Sequence, residues 1–167
     1  MLAQGPISVP REKLVDLVAA SAAFQARVDP AEPTDDKARE RIHWPALENP
    51  DPALWPELRP FAVVMAKGLS FELAAGGGQN YLRPTGTLTV LVVDTDRQPA
   101  SLKESQIDFE NFVGQVMADV AAASAQGENL SITRITQTEP AMVTDLKDRP
   151  AAGLFWTAGF EITWGPV

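Results

Sequence analysis

The sequence predicts an α+β fold, with a mixed, mostly antiparallel sheet of about four to five strands and two main helices packed on one face. Two observations lead to this prediction. Apolar residues repeat with the helical period in two separate segments, and several segments after residue 60 have the two-residue period or the continuous apolar run of strands. The length of 167 residues matches a single domain over 1–167, since about 150 residues per domain is usual.

Composition and charge exclude several classes of function. The chain has 14 Lys and Arg against 22 Asp and Glu, and the net charge of -8 argues against tight nucleic-acid binding, which needs cations to displace phosphate counterions. The absence of cysteine excludes thiol catalysis, disulfides and cysteine zinc sites. Residues 1–6 lack the pattern of a secretory signal, and no apolar run approaches the roughly 18 residues of a membrane span. We therefore expect synthesis in the cytoplasm and no membrane association.

The first element is predicted to be a helix over about residues 10–27. Ser8 and Pro10 are typical of a helix start. Asp29 followed by Pro30 predicts the end, because a residue before proline disfavours the helical conformation. Between these signals, apolar residues recur at spacings of three and four, as at Leu14, Leu17, Phe24 and Val28.

Residues 29–60 form a proline-rich arm. They contain seven of the 14 prolines, so we expect no long helix or strand there. Trp44 and Trp55 are anchors whose burial is worth about 1.5–3 kcal/mol each, which predicts an ordered arm rather than a free linker. Two interpretations remain open: the arm packs on its own domain, or it reaches a neighbouring subunit.

Strands are predicted after the arm. Alternating apolar residues mark 61–65 and 69–73 as two strands, and the apolar run within 86–94 is typical of a central strand. The intervening residues 74–85, which include three consecutive glycines, predict a protruding loop. We expect the tip of this loop to become ordered on contact with a partner.

A second helix over about 102–125 has the strongest periodicity in the chain. Ser101 and Glu104 match a capping box at its start, and Gly127 fits its end. The apolar stripe comprises Phe109, Phe112, Val113, Val116, Met117 and Val120.

Two further strands are predicted at 130–138 and 154–164. Ile132 and Ile135 are out of phase in the first, which indicates a bulge or twist. The second alternates apolar and polar residues, as a half-buried antiparallel strand does. The polar residues 139–153 between them predict another protruding loop.

The residue types and their spacing indicate no set of catalytic residues. His43, the single histidine, lies in the arm without a nearby serine nucleophile, which favours a structural or surface role. Asp94 and Asp96 follow the predicted central strand, where carboxylates can bind Mg²⁺, but Asp-Thr-Asp before Arg-Gln-Pro is more typical of a turn. Gly76-Gly77-Gly78 lacks the Gly-Lys-Ser/Thr of a phosphate-binding loop. We expect no enzymatic activity, cofactor or metal, and a small Mg²⁺-dependent enzyme using Asp94 and Asp96 is the alternative.

The order of the predicted elements is helix, long arm, strand, two strands joined by a protruding loop, helix and two strands. Four segments stand out in it: Arg59–Val64, Gly86–Asp94, Asp108–Ala125 and Trp156–Trp164. This pattern resembles the tail terminator (tail completion) proteins of long-tailed bacteriophages and related tail-like particles. The resemblance covers most of residues 10–164 and rests on element order rather than on a motif.

The resemblance implies a structural virion protein that binds rather than catalyses. About six copies would form a homo-oligomeric ring on the end of the tail tube, terminating tail assembly and contacting the head–tail connector protein. The implied location is the tail or neck of the virion, after assembly in the host bacterial cytoplasm. DNA would pass through without specific binding, and six chains of charge -8 would carry -48 in total, which repels DNA.

Candidate contact residues follow from the interpretation in which the arm and the glycine loop reach a partner, and candidate lumen-facing residues follow from the ring that the resemblance implies. The candidate subunit or partner contacts are Trp44, Trp55, Gly76, Gly77, Gly78 and Tyr81, and the candidate lumen-facing acids are Asp145 and Asp148. A head–tail connector or another minor tail protein is the nearest alternative to a terminator. A stand-alone module that grips a peptide with the glycine loop or the tryptophan arm is a further alternative.

Overall fold

The protein is described by a computed structural model that covers residues 7–44, 59–76, 79–98, 100–126, 130–143 and 155–165. Four helices and six strands are formed within these ranges. In chain order they are α1 (Ser8–Ala19), α2 (Ala22–Val28), α3 (Asp35–Arg39), β1 (Ile42–His43), β2 (Phe61–Gly76), β3 (Gln79–Thr95), α4 (Leu102–Gln126), β4 (Ser131–Gln137), β5 (Ala141–Val143) and β6 (Phe155–Gly165).

The strands form one sheet in the order β1-β2-β3-β6-β4, and β5 pairs with β6 on the same side as β4. Only β1 and β2 are parallel, and the other described pairs are antiparallel. The predicted α+β class and the mixed, mostly antiparallel sheet are therefore confirmed. The sheet has six strands. Strands β1 and β5 were not predicted because they are too short to show any alternation in the sequence.

The main hydrophobic core lies between one face of the sheet and the helices. Helices α1 and α2 contact α4, and α4 contacts β4 and β6, so these helices cover the same face. The predicted stripe of α4 is buried except for the half-buried Met117, and it packs with alternate residues of β3 and β6. The fully buried members of this core include Phe109, Val113, Val116, Val90, Val92, Phe160 and Ile162. A smaller cluster of Phe61, Val93 and Phe155 lies on the opposite face.

The predicted first helix is in fact two helices, α1 and α2, separated at Ala20 and Ser21. The Ser21 hydroxyl accepts a hydrogen bond from the Phe24 N–H at 3.2 Å and donates one to the Asp119 carboxylate at 2.8 Å. Sequence periodicity did not predict this break, because the small residue Ser21 fits the apolar spacing. Its hydrogen-bond partner Asp119 lies 98 residues further along the chain, so no local pattern indicates the contact. The predicted end is confirmed, since α2 ends at Val28 just before the Asp-Pro pair.

Among the described residues of the predicted arm, 29–44 and 59–60, the regular elements are the short α3 and β1. Thr34 caps α3 by accepting a hydrogen bond from the Lys37 N–H at 3.4 Å. Strand β1 pairs in parallel with the first residues of β2, which places this part of the arm at an edge of the sheet. The remaining residues of the arm, 45–58, lie outside the described residues.

The prediction of a protruding loop over 74–85 is wrong for residues 74–76 and 79–85, because these residues belong to the two strands of a long hairpin, whereas residues 77–78 lie outside the described residues. The β2–β3 ladder continues to the pair Gly76 and Gln79. The two strands predicted at 61–65 and 69–73 are a single strand, β2, with a register shift between Ala66 and Gly68. Such a bulge adds one residue, so odd-numbered residues lie on opposite faces before and after it. This reversal explains why the sequence pattern indicated two strands.

The C-terminal strands agree well with the sequence. Strand β4 has a register shift between Ile132 and Arg134, as the phase change in the sequence predicted. Strand β6 has the predicted antiparallel pairing on both sides. The predicted loop 139–153 contains β5, and residues 144–154 lie outside the described residues.

Candidate functional site

The β2–β3 hairpin extends well past the rest of the sheet. Pairing of β3 with β6 ends at Gly86, whereas β2 and β3 continue through seven further pairs, from Ser70 with Thr85 to Gly76 with Gln79. We call residues 70–76 and 79–85 the ribbon. Strands rise about 3.4 Å per residue, so the ribbon projects roughly 20 Å. Among the described residues, no third strand pairs with it.

The start of the ribbon is fixed by Gly86. A Cβ atom at this position would lie 2.7 Å from the indole Nε1 of Trp164, so the tryptophan ring occupies the space over the glycine. Pro84 follows two positions further out. Proline has no backbone N–H to donate to a neighbouring strand and occurs where a strand lies at a sheet edge, which agrees with the end of three-stranded pairing here.

Contacts are described at the base of the ribbon. Leu69, the residue of β2 before the ribbon, packs against the main core. The hydroxyl oxygens of the paired residues Ser70 and Thr85 lie 2.9 Å apart, which joins the two strands where the ribbon leaves the sheet.

A groove lies at the other edge of the sheet, between α4 and β4. It has a volume of about 570 Å³ and is lined by Ala121, Ser124, Ala125 and residues 130–135. The small side chains of α4 leave this space open. The Ser124 hydroxyl donates to the Leu130 carbonyl at 2.7 Å and fixes the chain at the start of β4. We call this surface the α4–β4 groove.

Asp94 is the centre of a buried ion-pair cluster. Its carboxylate is fully buried, and its Oδ2 lies 2.6 Å from the Arg27 Nε and 3.0 Å from the Arg97 Nε. The Arg27 Nη2 also lies 2.6 Å from the Asp108 Oδ2. Burial alone would lower the pKa of Arg27, but hydrogen bonds to Asp108 and Asp94 outweigh it and raise that pKa. The cluster therefore joins α2, α4 and the end of β3.

Two aromatic rings and a third arginine surround this cluster. The Arg27 guanidinium lies 4.8 Å from the Phe112 ring centroid, and that of Arg59 lies 4.7 Å from the Phe155 centroid. Burial lowers the pKa of Arg59, although the charge of Asp94 acts in the opposite direction. These contacts shield the charges from water and strengthen their mutual attraction.

Asp96 has a different role from Asp94. It accepts hydrogen bonds from the Gln98 N–H at 3.0 Å and from the Ser105 hydroxyl. The buried Ser105 oxygen in turn accepts from the Trp156 Nε1 at 2.6 Å. The predicted turn is therefore correct for Asp96, whereas Asp94 lies within β3.

This arrangement does not resemble a Mg²⁺ site. Such a site needs several free oxygen ligands around the ion. Two guanidinium groups occupy the oxygens of Asp94, and the Asp96 oxygen is held by Ser105 and a backbone amide. Across the described ranges, no group of three His, Cys, Asp or Glu side chains lies close enough to hold a metal ion.

Trp44 packs on its own domain. It is half-buried against the main core, and the Arg11 guanidinium lies 4.5 Å from its ring centroid. For this part of the arm, the structure supports the interpretation of an arm packed on its own domain. His43 lies in β1, with its ring 6.0 Å from that of Phe61 in an edge-on arrangement, which is a packing contact.

The other predicted site residues fall into two groups. Gly76 and Tyr81 are both in the ribbon, where Tyr81 pairs with Ala74 near the tip. Those outside the described residues are Trp55, Gly77, Gly78, Asp145 and Asp148. The structure thus brings Gly76 and Tyr81 together and places Trp44 at another part of the molecule.

Sequence reasoning missed the ion-pair cluster and the α4–β4 groove. Arg27 is 67 residues from Asp94 and 81 residues from Asp108, so no local spacing indicates these pairs. The groove depends on how β4 packs beside α4. A stretch of small residues at 121–125 was its single sequence signal, and small residues also occur in many ordinary helices.

Comparisons with known proteins do not assign the chain to a family. The chain matches no protein-family model, and no curated protein matches it in sequence at a significant level. None of the helices in the described ranges combines the length and apolar character needed to cross a bilayer.

Proposed function

We propose that this chain is a structural subunit of a bacteriophage tail, a tail terminator that forms a ring on the end of the tail tube. In this role it stops growth of the tube and presents a surface to the head–tail connector protein. The work is binding, with no cofactor and no catalytic step. The proposal places the protein in the virion and gives it three partners: further copies of itself, the tail tube protein and the connector.

The ribbon is the observation that carries this proposal. A two-stranded hairpin is marginally stable in water when it has no further strand or helix to pack on. The ribbon projects roughly 20 Å past the end of β6 pairing, and no third strand of the described residues pairs with it. Contact with a second protein surface would stabilise it, which fits a subunit that works within an assembly.

The resemblance in element order supports a terminator rather than another ring protein of the virion. A head–tail connector or another minor tail protein is the nearest alternative, and it would share a ring and a projecting hairpin. The two differ in their binding partner. A terminator binds directly to the open end of a tail tube, whereas a connector binds to the head.

The Mg²⁺-dependent enzyme receives no support from the geometry, because arginine side chains engage the Asp94 carboxylate. A peptide-binding module receives support from the projecting ribbon, because a peptide could also bind to its strands. Such a module would remain monomeric, so the oligomeric state separates it from a ring subunit.

Two measurements test the proposal together. Native mass spectrometry over a concentration series, with negative-stain images of the same samples, detects rings in solution. The labelled chain is also mixed with tail tubes of the particle whose genome encodes it, because rings of this kind can form on the tube end alone. We expect closed rings of about six copies in solution or label at tube ends. A monomer in solution together with bare tube ends would overturn the proposal.

A further experiment concerns the passage of DNA. If Asp145 and Asp148 face the lumen, changing both to Lys attracts DNA to the channel wall and slows its passage. We expect lower infectivity of particles that carry D145K and D148K, with normal tail length. Unchanged infectivity would count against this placement of the two acids and would leave the ring proposal intact.

A further inference from the structure

We propose that the outer edge of β1, together with a groove between α1 and α3, binds an extended, basic segment of a partner protein. The segment adds to the sheet beside β1 and places alternate side chains in the groove. The inference goes beyond the proposed function, because this surface shares no residue with the ribbon and does not require a ring.

The groove is an opening in the helical layer at the edge of the sheet. It has a volume of about 620 Å³ and is lined by three apolar and four charged residues of α1, α3, β1 and the chain next to them. The apolar residues are the buried Val15 and Ile42 and the half-buried Trp44. All three pack in or against the main core, so their positions are fixed before a partner binds. We call this surface the α1–α3 groove.

The outer edge of β1 is open to an added strand. Within the described ranges, β1 pairs with β2 and with no other strand. The Arg41 carbonyl accepts a hydrogen bond from the Ala62 N–H at 2.8 Å. Backbone groups alternate in direction along a strand, so those of the next residue, Ile42, point away from β2. Because the Ile42 side chain lines the groove, a strand beside β1 would gain backbone hydrogen bonds and place its own side chains in the groove.

The rim of the groove is acidic. Glu12 on α1, Asp36 on α3 and Glu40 directly after α3 line it, and all three are exposed. These carboxylates do not form a metal site, since no group of three His, Cys, Asp or Glu in the described part of the chain is arranged to hold an ion. Carboxylates spread along a groove instead favour a partner chain that carries several positive charges.

Arg39, the one base among the described lining residues, does not neutralise this rim. It forms an ion pair with Asp16. The hydrogen bond to Asp16 raises the pKa of Arg39 despite partial burial, and the charges of Glu12 and Asp35 act in the same direction. Arg39 therefore lies among several acids, and the groove keeps an excess of negative charge that a basic segment complements.

Lysine and arginine have the shape that this lining requires. Their alkyl stems cover apolar surface while the charged head stays at a polar rim. Trp44 already holds a basic side chain of its own chain, because the Arg11 guanidinium lies 4.5 Å from its ring centroid. Side chains at alternate positions of an extended segment point to one face. We therefore expect Lys or Arg at alternate positions of the partner segment.

Charge disfavours the other classes of occupant. Nucleic acids and anionic lipid surfaces bring negative charge to an acidic rim. A second copy of the chain has a net charge of -8 and is repelled in the same way. A basic segment of a different protein is the occupant that matches the floor, the edge strand and the rim together.

The first test measures the binding of a basic peptide to the full-length chain. The probe is a short end-capped peptide of alternating Lys and Val, and a second probe has Gln in place of Lys. Fluorescence anisotropy should show at least about tenfold weaker binding of the Gln peptide. In the double variant E12Q and E40Q, we expect the affinity for the Lys peptide to fall by about fivefold, as for the loss of two exposed ion pairs.

A matched double variant controls for general attraction to an acidic protein. E104Q and E110Q remove two exposed acids of α4, so the net charge changes by the same amount at a distant surface. We expect the affinity for the Lys peptide to change by less than about twofold, because exposed charges beyond a Debye length are screened. Circular dichroism checks that both double variants fold.

The second test asks whether the peptide adds as a strand. Two further probes carry N-methyl groups, one on every Lys and one on every Val, which removes the backbone donors along one edge of the peptide. A strand beside β1 has only one edge facing Ile42, so we expect one methylated probe to bind about tenfold more weakly and the other to bind within about threefold of the parent.

The outcomes separate this contact from the proposed ring. Failure of the Lys peptide to bind, equal binding of the Gln peptide, or equal losses in the two double variants would overturn the basic partner. Equal effects of the two methylated probes would overturn strand addition beside β1. Self-association that weakens in E12Q and E40Q, without peptide binding, would make the groove a subunit contact and also overturn the proposal. Selective peptide binding by a chain that forms no rings would support this inference and count against the proposed function.

Discussion

The Arg27 Nε lies 2.6 Å from the Asp94 Oδ2, and this pair joins the second helix to the end of the central strand. The Asp94 side chain is fully buried, and that of Arg27 is 16% exposed. Removing a buried charge from water is costly unless a partner compensates it, so the pair is stable only as a unit. The relationship makes Asp94 a structural residue and leads to the first prediction.

We predict that Asp94→Asn lowers the free energy of unfolding by about 3 kcal/mol. This value is at the low end for the loss of a buried ion-pair partner, because Asp108 still faces Arg27 in the variant. Urea denaturation at neutral pH measures the change. The control is Asp16→Asn, which removes an exposed ion pair with Arg39 and should cost less than about 1 kcal/mol.

The same variant tests the Mg²⁺ alternative. If Asp94 binds Mg²⁺, titrating the ion raises the Tm of the wild type and leaves that of Asp94→Asn unchanged. We expect no shift in either protein, because the arginines occupy the carboxylate. A Mg²⁺-dependent rise confined to the wild type would revive the enzyme alternative.

The second prediction concerns Asp119 and acid stability. Burial alone would raise the pKa of Asp119, but hydrogen bonds from Ser21, Gln115 and the Ala23 N–H lower it below its ordinary value of 3.8. A carboxylate with a lowered pKa stabilises the folded state above the unfolded pKa, and this stability is lost as the pH falls through the folded pKa. Asp119→Asn should therefore be less stable by about 1 kcal/mol at pH 7, and the difference from wild type should shrink below pH 3.8.

Urea denaturation over a pH series checks this prediction. The control is Glu110→Gln, which changes an exposed carboxylate of the same helix and should give a nearly constant small difference from wild type. If the Asp119→Asn difference stays constant from pH 7 to the acid limit, the hydrogen bonds do not depend on ionisation of Asp119, and the prediction is wrong.

Local patterns in the sequence were sufficient for several elements. Helix α4 was predicted to within a residue or two, because Phe109, Val113 and Val120 repeat with the helical period over the whole segment. Strand β6 was predicted from its alternation. The bulge in β4 was predicted because Ile132 and Ile135 cannot both face the core in a regular strand.

Features that depend on distant residues were not predictable in this way. The break at Ser21 depends on Asp119, and the ion pair of Arg27 depends on Asp94. Residues 74–85, which form most of the ribbon, were predicted as a loop because glycines and alanines lower strand propensity, whereas pairing across the hairpin stabilises the described strands. The full length of the ribbon and the α4–β4 groove therefore emerge from the structure.

The third prediction compares two glycines in the sheet. A Cβ atom at Gly159 would lie 2.4 Å from the Val90 carbonyl oxygen, and this backbone atom cannot move aside easily. Gly159→Ala should lower the free energy of unfolding by about 2 kcal/mol. At Gly68 a Cβ atom meets nothing within 4 Å, so Gly68→Ala serves as the control and should be neutral or slightly stabilising. Equal effects of the two variants in thermal and urea unfolding would contradict the prediction.

The fourth prediction is that Gly114→Ala stabilises the protein. Glycine within a helix costs roughly 1 kcal/mol relative to alanine. A Cβ atom at Gly114 would lie 3.5 Å from the Gln137 Oε1, an ordinary contact, so the added methyl group causes no clash. We expect the free energy of unfolding to rise by about 0.5–1 kcal/mol, measured by urea denaturation. The reverse change at an exposed position of the same helix, Ala118→Gly, should lower it by a similar amount. A loss of stability in Gly114→Ala would mean that the hydrogen bond from Gln137 to the Glu110 carbonyl, at 3.4 Å, requires the space beside the glycine.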